Sequence, residues 1–505
     1  VERSRGLGDV YKRQVYIMKQ KSLKLNIIMN MLLTMSSFIF PLITFPYVSR
    51  ILLPEGTGKV SFATSLISYF SMFAQLGIPT YGIRACAKVR DNREELTRTV
   101  QELLIINLIM SVVLYIVFFG AILLVPRLHN ERNLYVIVSC TIILTSIGME
   151  WLYKALEQYT YITLRSVLFK FIALIMMFLL IHKKSDYLLY GGISIFAASA
   201  SNIFNFINVH RFIDLRPVGN YNFKRHLKPI ITFFAMACAT TIYTNLDTVM
   251  LGFMKTNVDV GYYNAAVKIK NILVSVVTSL GAVLLPRATY YVEHNLIGDF
   301  WRITRKALNF VALIATPLMI YFILFAKEGI YFLSGSAYAG AVFPMQIIMP
   351  TLLFIGITNV LGIQILVPIG KENVVLFSEI AGAVTDLIIN LILIPRFSSA
   401  GAAIGTLVAE LVVLLVQYFS LYKNVNKAFK NIHYMRIIVA IILGTVCSVW
   451  LKNANLNSFF TLVLSSVLFW GVYCGYLFMR KESMVTEIWN MLTSKVKVIK
   501  KTDAK

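Results

Sequence analysis

From Leu25 to Phe478 the chain is built of long apolar runs separated by short polar interruptions. A hydrocarbon core about 30 Å thick takes roughly 20 helical residues to cross. On that ruler the runs predict spans at 25–48, 59–83, 99–123, 134–154, 161–181, 188–209, 228–252, 263–286, 307–326, 341–364, 373–394, 401–421, 435–451 and 458–478. The blocks are continuous rather than alternating, so they fit helices and not barrel strands, since a backbone in lipid must satisfy its own hydrogen bonds. The expected fold is an all-α polytopic membrane protein with about 14 transmembrane helices.

Composition agrees. Of 505 residues, 58% are apolar and only 14% charged, where a soluble enzyme would carry nearer a quarter charged. The connections leave no room for a water-soluble catalytic domain. The five cysteines, Cys86, Cys140, Cys238, Cys447 and Cys474, lie far apart, four of them inside apolar blocks, so packing fits them better than metal or redox chemistry. No metal site is expected. GTGK at Gly56 to Lys59 lacks the full phosphate-loop spacing and has Val60 where a hydroxyl is required.

A formal charge of +24 raises nucleic-acid binding for a soluble chain, but here the distribution of the basic residues decides. Residues 1–17 read as a non-native leftover ahead of Met18, which opens a natural cytoplasmic start, MKQKSLKLNIIMNMLL. Beyond them, 30 Lys or Arg fall on the side of Met18 and the C-terminal tail, against 10 on the opposite side. That bias predicts both termini in the cytoplasm and an even number of spans. No nucleic-acid partner is expected.

Spans two and eight are alike. Gly58 and Arg84 bracket one, Gly261 and Arg287 the other, each pair 26 residues apart. Both spans end in a small-residue and proline-containing stretch, LGIPTYGIRA at Leu76 to Ala85 and LGAVLLPRAT at Leu280 to Thr289. A six-helix offset preserves orientation, which predicts two parallel lobes, 18–210 and 211–421, with 422–505 carrying two further helices and a basic tail. Paired lobes of this kind suit alternating access.

Charges inside spans are costly and usually face protein or water. Glu150, Lys154 and Glu157 close the fourth span at i, i+4 and i+7, where a Glu before Lys order favours pairing at the cytoplasmic edge. Arg165 and Lys170 lie in the fifth span. Lys268 and Lys270 lie in the eighth, two apart, so they cannot face the same way on a helix. Asp247 in TIYTNLDTVMLG, Glu379 and Asp386 (with Asn390 near them) and Glu410 are candidates for ion coupling or gating, since a buried acid needs a proton or a cation. Prolines at 41, 46, 79, 317, 344 and 350 permit kinks.

FPLITFPYVSRILLPEGTGKVSFATSLISYFSMFAQLGIPTYGIR, from Phe40 to Arg84, resembles the first two helices of the polysaccharide repeat-unit flippases, the O-antigen and exopolysaccharide branch of the multidrug/oligosaccharidyl-lipid/polysaccharide superfamily. TNLDTVMLG (Thr244 to Gly252) followed by VGYYNAAVKI (Val260 to Ile269) resembles the start of that family's second lobe. The resemblance implies a V-shaped bundle of two pseudo-symmetric six-helix lobes. It further implies movement of undecaprenyl-pyrophosphate-linked oligosaccharide from the cytoplasmic to the external leaflet of the bacterial cytoplasmic membrane. By the same resemblance Arg165, Lys268 and Lys270 are substrate-binding cations and Asp247 an acid of the second lobe. No cofactor is implied, and coupling to a proton or sodium gradient is left open. Membrane lipids, a polysaccharide polymerase and chain-length machinery are the implied partners. The alternatives are a lipid II flippase, a cation-coupled drug exporter and, from another class, a multispanning glycosyltransferase or polymerase. The last would ordinarily carry a sizeable external loop with catalytic carboxylates.

Overall fold

The computed structural model describes residues 23–430, 433–482 and 484–486. Residues 1–17, read above as a leftover, and most of the basic tail lie outside the described residues. Among the described residues the fold is all helix, without strands.

Among the described residues ten helices are long and apolar enough to cross a membrane, and twelve when two sharply bent pairs each count as one span. Two of these are too long for a single crossing. The first runs through Leu23–Gln75, about 80 Å if straight. It breaks at Leu53, whose φ of 59° and ψ of 177° leave the helical region just before Pro54. Proline excludes the helical conformation from the residue before it, so the chain turns there. Glu372–Lys430 breaks likewise at Ser398 (φ 50°, ψ −126°), three residues after Pro395. Counting each broken helix as two crossings agrees with the fourteen spans expected.

Local chemistry fixes other ends. Asn92 caps Arg93–Leu124 by accepting from the Glu94 and Glu95 amides. Thr256 and Asp259 form a reciprocal capping box that starts Asn257–Glu293. The fourth span is not one helix to residue 154. It stops at Gly148, Met149 takes a left-handed conformation, and a short helix resumes over Glu150–Ala155. The sixth and tenth spans each carry a π-helical stretch, Phe196–Ala200 and Asn359–Leu366.

Two compact units can be distinguished. One comprises the described residues up to Thr44 together with Phe70–Leu180 and Leu189–Ala235; the other comprises Phe45–Tyr69, Ile181–Leu188 and the described chain from Met236 onward. In the first, Ile78, Cys86, Leu103, Trp151, Leu152 and Val209 are core. In the second, Val277, Phe300, Phe325, Leu361, Phe469 and Tyr473 are. Large apolar side chains also line the outside: along Arg93–Leu124, Val112, Ile116, Val117, Leu123 and Leu124 are all exposed. A contiguous apolar exterior of this extent is a surface for lipid rather than water.

The similarity of spans two and eight has a physical counterpart inside the second unit. A Cβ on Gly58 would overlap the Asn257 carbonyl oxygen, and a Cβ on Gly261 would overlap that of Pro54. Gly58 and Gly261 are 203 residues apart, and so are Pro54 and Asn257. The contact is therefore reciprocal, the signature of a local two-fold relation. Only glycine permits this backbone approach from both sides.

Candidate functional site

In the second unit, four helical segments converge on Asp247. The carboxylate is buried within Lys224–Met254. Three neutral groups donate to it. The Tyr263 hydroxyl, from the next helix, makes a short bond to Oδ2. Thr406 Oγ1 reaches the same oxygen at 2.9 Å, and Asn390 Nδ2 donates to Oδ1 at 2.6 Å. Asp386 and Asn390 are i and i+4 on the arm before Ser398; Thr406 and Glu410 are i and i+4 on the arm after it. That period puts each pair on one helix face.

Asp386 and Glu410 are buried in the same neighbourhood, 1% and 6% exposed. Lys270 stands in the field of Asp247, Asp386 and Glu410, and half-buried Glu379 in that of Glu410. The Tyr243 hydroxyl stands in the field of Glu410. Asp386 Oδ1 and Asn390 Oδ1 are buried oxygens without a hydrogen-bond partner among the described residues. Both border the space that Gly405 leaves open: a Cβ there would overlap Asn390 Oδ1 and lie 2.9 Å from Asp386 Oδ1. Acceptors held together without a donor create a demand for a proton or a small cation. Among the described residues no three Asp, Glu, His or Cys side chains are arranged to hold a metal ion. A cation here would therefore rely on amide and hydroxyl oxygens as well as carboxylate, the hard oxygen ligands that suit such ions.

The two lysines of the eighth span part company, as helix geometry demands. Lys270 joins the acids, whereas Lys268 Nζ lies 3.5 Å from the centroid of the Phe45 ring. An aromatic face is a weak partner for an ammonium compared with a carboxylate. Lys268 makes no ion pair among the described residues.

In the first unit, Arg165 is buried. Its guanidinium donates a short bond to the Ser201 carbonyl and one of 3.2 Å to Asn202 Oδ1, with Glu150 at 4.0 Å. Glu150 also pairs with Lys154 at 2.8 Å. Glu157 lies beyond the end of the Glu150–Ala155 helix; it pairs with Arg90 at 3.1 Å and accepts from Asn26. Lys170 donates to the Ser36 and Ser37 hydroxyls, 2.9 Å each.

A further buried acid was not singled out in the sequence. Glu102 is fully buried. It receives Arg225 at 2.7 Å and His226 Nε2 at 2.6 Å, and accepts the Asn222 amide; the Tyr81 hydroxyl meets the other ring nitrogen of His226 at 2.8 Å. The available signal was an acid early in the third span and the basic run KRH at Lys224 to His226 before the seventh, at the same end of their spans. Tyr263 and Thr406 were missed as well, because a hydroxyl in an apolar span reads as packing until its partner is known.

These helices, with clusters of charge buried between them, define a polytopic transporter fold. The solved structure described as "Lipid II flippase MurJ, inward closed conformation" matches 91% of this chain and 100% of its own at a TM-score of 0.73 and 15% identity. An inward-facing multidrug resistance MATE family transporter of the MOP superfamily matches 80% of this chain and 99% of its own, with TM-score 0.61 and 14% identity. At such identities the likeness is one of fold. The sequence carries the family: residues 23–291 match the polysaccharide biosynthesis protein family, and the chain belongs to it. Among its relatives is a protein of Escherichia coli (strain K12) named "Putative O-antigen transporter", 26% identical over 398 residues, covering 78% of this chain and 95% of the relative. A protein of Shigella dysenteriae with the same name is 23% identical over 402 residues, 78% of this chain and 98% of the relative.

Proposed function

We propose that this protein flips an undecaprenyl-pyrophosphate-linked oligosaccharide repeat unit from the cytoplasmic to the external leaflet for surface polysaccharide synthesis. The observation that carries the reading is the occurrence, in one chain of a polysaccharide biosynthesis family, of the fold shared with a lipid II flippase. A polyprenyl tail can stay in hydrocarbon while its pyrophosphate and sugars need a polar, partly cationic passage. The half-buried Lys268, which lies against the Phe45 ring and makes no ion pair among the described residues, supplies a cation for the pyrophosphate. Arg165, the candidate cation of the first unit, is engaged by Ser201, Asn202 and Glu150, while its Nε has no hydrogen-bond partner among the described residues. The basic bias supports both termini lying in the cytoplasm.

The Asp247 cluster couples transport to an ion. Its unpartnered Asp386 and Asn390 oxygens support a proton or sodium ion as the group that comes and goes. Lys270, the cation in the field of three acids, keeps the cluster from carrying its full negative charge when that ion leaves.

Proteoliposomes loaded with a fluorescent undecaprenyl-pyrophosphate oligosaccharide test the reading. Flipping should be measurable with the wild type, should slow on Lys268→Gln, and should recover in part with Lys268→Arg. Equal flipping of a lipid lacking the pyrophosphate would overturn the substrate assignment. Rates indifferent to both proton and sodium gradients would overturn the coupling.

A further inference from the structure

We propose that the last two helices, at the end of the bundle where Arg436 and Arg480 lie, form a binding site for the headgroup of an anionic phospholipid, distinct from the transported lipid. Tyr434–Val449 and Ser458–Met479 pack as a hairpin, and an open cleft of about 420 Å³ lies between the start of the first and the end of the second. That volume is within the range of sites for small ligands, about 300 to 1,000 Å³.

Three cations converge on the cleft: Arg436 from the first turn of one helix, Arg480 and Lys481 just past the end of the other. Among the described residues none of the three makes an ion pair. Arg436 has a long contact of 3.4 Å to the Arg480 carbonyl, and the Arg480 guanidinium lies 5.6 Å from the centre of the Tyr476 ring, with Nε 3.4 Å from its hydroxyl. The neighbouring acid, Glu482, is buried and turned elsewhere, accepting from Asn309 and from the amides of Met484 and Val485. Like charges gathered in this way repel one another, and a phosphate placed among them relieves that repulsion while accepting guanidinium hydrogen bonds.

The remaining lining explains why the ligand is a lipid. Met435 and Met479 are 72% and 74% exposed at the rim, and Val439 lies a helical turn deeper. Cations at the helix ends with bare apolar side chains beside them match the two parts of a phospholipid, a charged headgroup above and an acyl chain below. Basic pockets between transmembrane helices bind such headgroups. A free phosphate would leave the methionines without a role. Arg436 opens a helix, where the backbone dipole disfavours a cation, so helix stability does not account for it.

Native mass spectrometry of the full-length protein, released from detergent with defined lipids, tests the assignment. Phosphatidylglycerol should bind at least tenfold more tightly than phosphatidylcholine, and an Arg436→Gln/Arg480→Gln double variant should lose that preference. The corresponding double lysine variant should keep most of it, and Lys452→Gln, at the opposite end of the same helices, should keep all of it. Equal binding of the two lipids, or an unchanged preference in the double glutamine variant, would overturn the proposal. So would displacement of the lipid by millimolar glycerol phosphate, which would mark a site for a soluble phosphate. Should the glutamine variant fold poorly, loss of the preference on raising salt in the wild type, with phosphatidylcholine binding unchanged, supports the site, and indifference to salt rejects it.

Discussion

Glu102 and Asp247 are both buried carboxylates in transmembrane helices, and their surroundings are opposites. Glu102 has two basic partners within 2.7 Å and a backbone amide besides. Asp247 is held by three neutral donors, has Asp386 and Glu410 for neighbours, and shares Lys270 with them. The first arrangement answers a charge where it stands, and nothing needs to move for it to remain buried. The second gathers more acid than Lys270 can balance among the described residues, so the excess needs a proton or a cation to stay buried. Buried charge by itself thus marks neither structure nor function; the local balance of partners separates the two.

The contrast is broken most directly at Glu102. Glu102→Ala leaves Arg225 and His226 facing a buried void, and removing one member of such a group typically costs about 3 to 5 kcal/mol. A large fall in thermal midpoint or folded yield in detergent is expected, and a wild-type melting curve would show that the cluster is not structural. Asp247→Asn should fold, because the amide keeps the shape and can retain part of the hydrogen bonding, at a cost of about 1 to 3 kcal/mol. Its flipping rate should fall about tenfold or more, equivalent to roughly 1.4 kcal/mol of barrier, and lose its dependence on the coupling ion. Retention of the wild-type ion dependence would remove Asp247 from coupling.

Smaller changes sharpen the comparison. Thr406→Val deletes one of the three donors to Asp247 at nearly constant shape, an expected loss of about 0.5 to 1.5 kcal/mol. Because the site is poised, the ion concentration for half-maximal flipping should shift more visibly than the melting temperature. Tyr81→Phe removes one hydrogen bond at the edge of the Glu102 group, of similar size. There the melting temperature should fall slightly and the ion dependence stay fixed. The opposite pattern in this pair would reverse the roles assigned to the two clusters.

Several features of the site were legible early because burial of charge in lipid is costly whatever the fold. Asp247, Asp386, Glu410 and Lys270 stood out in apolar runs, and they do share one neighbourhood. The different surroundings of Lys268 and Lys270 followed from helix periodicity alone. Glu157 shows the limit. Continuous spacing put it on one face with Glu150 and Lys154, but the helix ends at Ala155 and Glu157 itself takes a left-handed backbone (φ 55°), which carries it to Arg90 instead. A left-handed residue after a helix end leaves no trace in hydropathy.

The sequence by itself determined that the chain is helical and spans the membrane many times, since hydrocarbon compels each apolar segment to satisfy its backbone internally. It also showed the likeness of spans two and eight, through glycines whose spacing is a local property. Only the tertiary structure decided that Asn390 and Thr406, 143 and 159 residues from Asp247, donate to it, and that Glu102 is answered by Arg225 from 123 residues away. Such pairings depend on which helix faces meet, and helix periodicity fixes the face of a residue while leaving its opposite number unspecified.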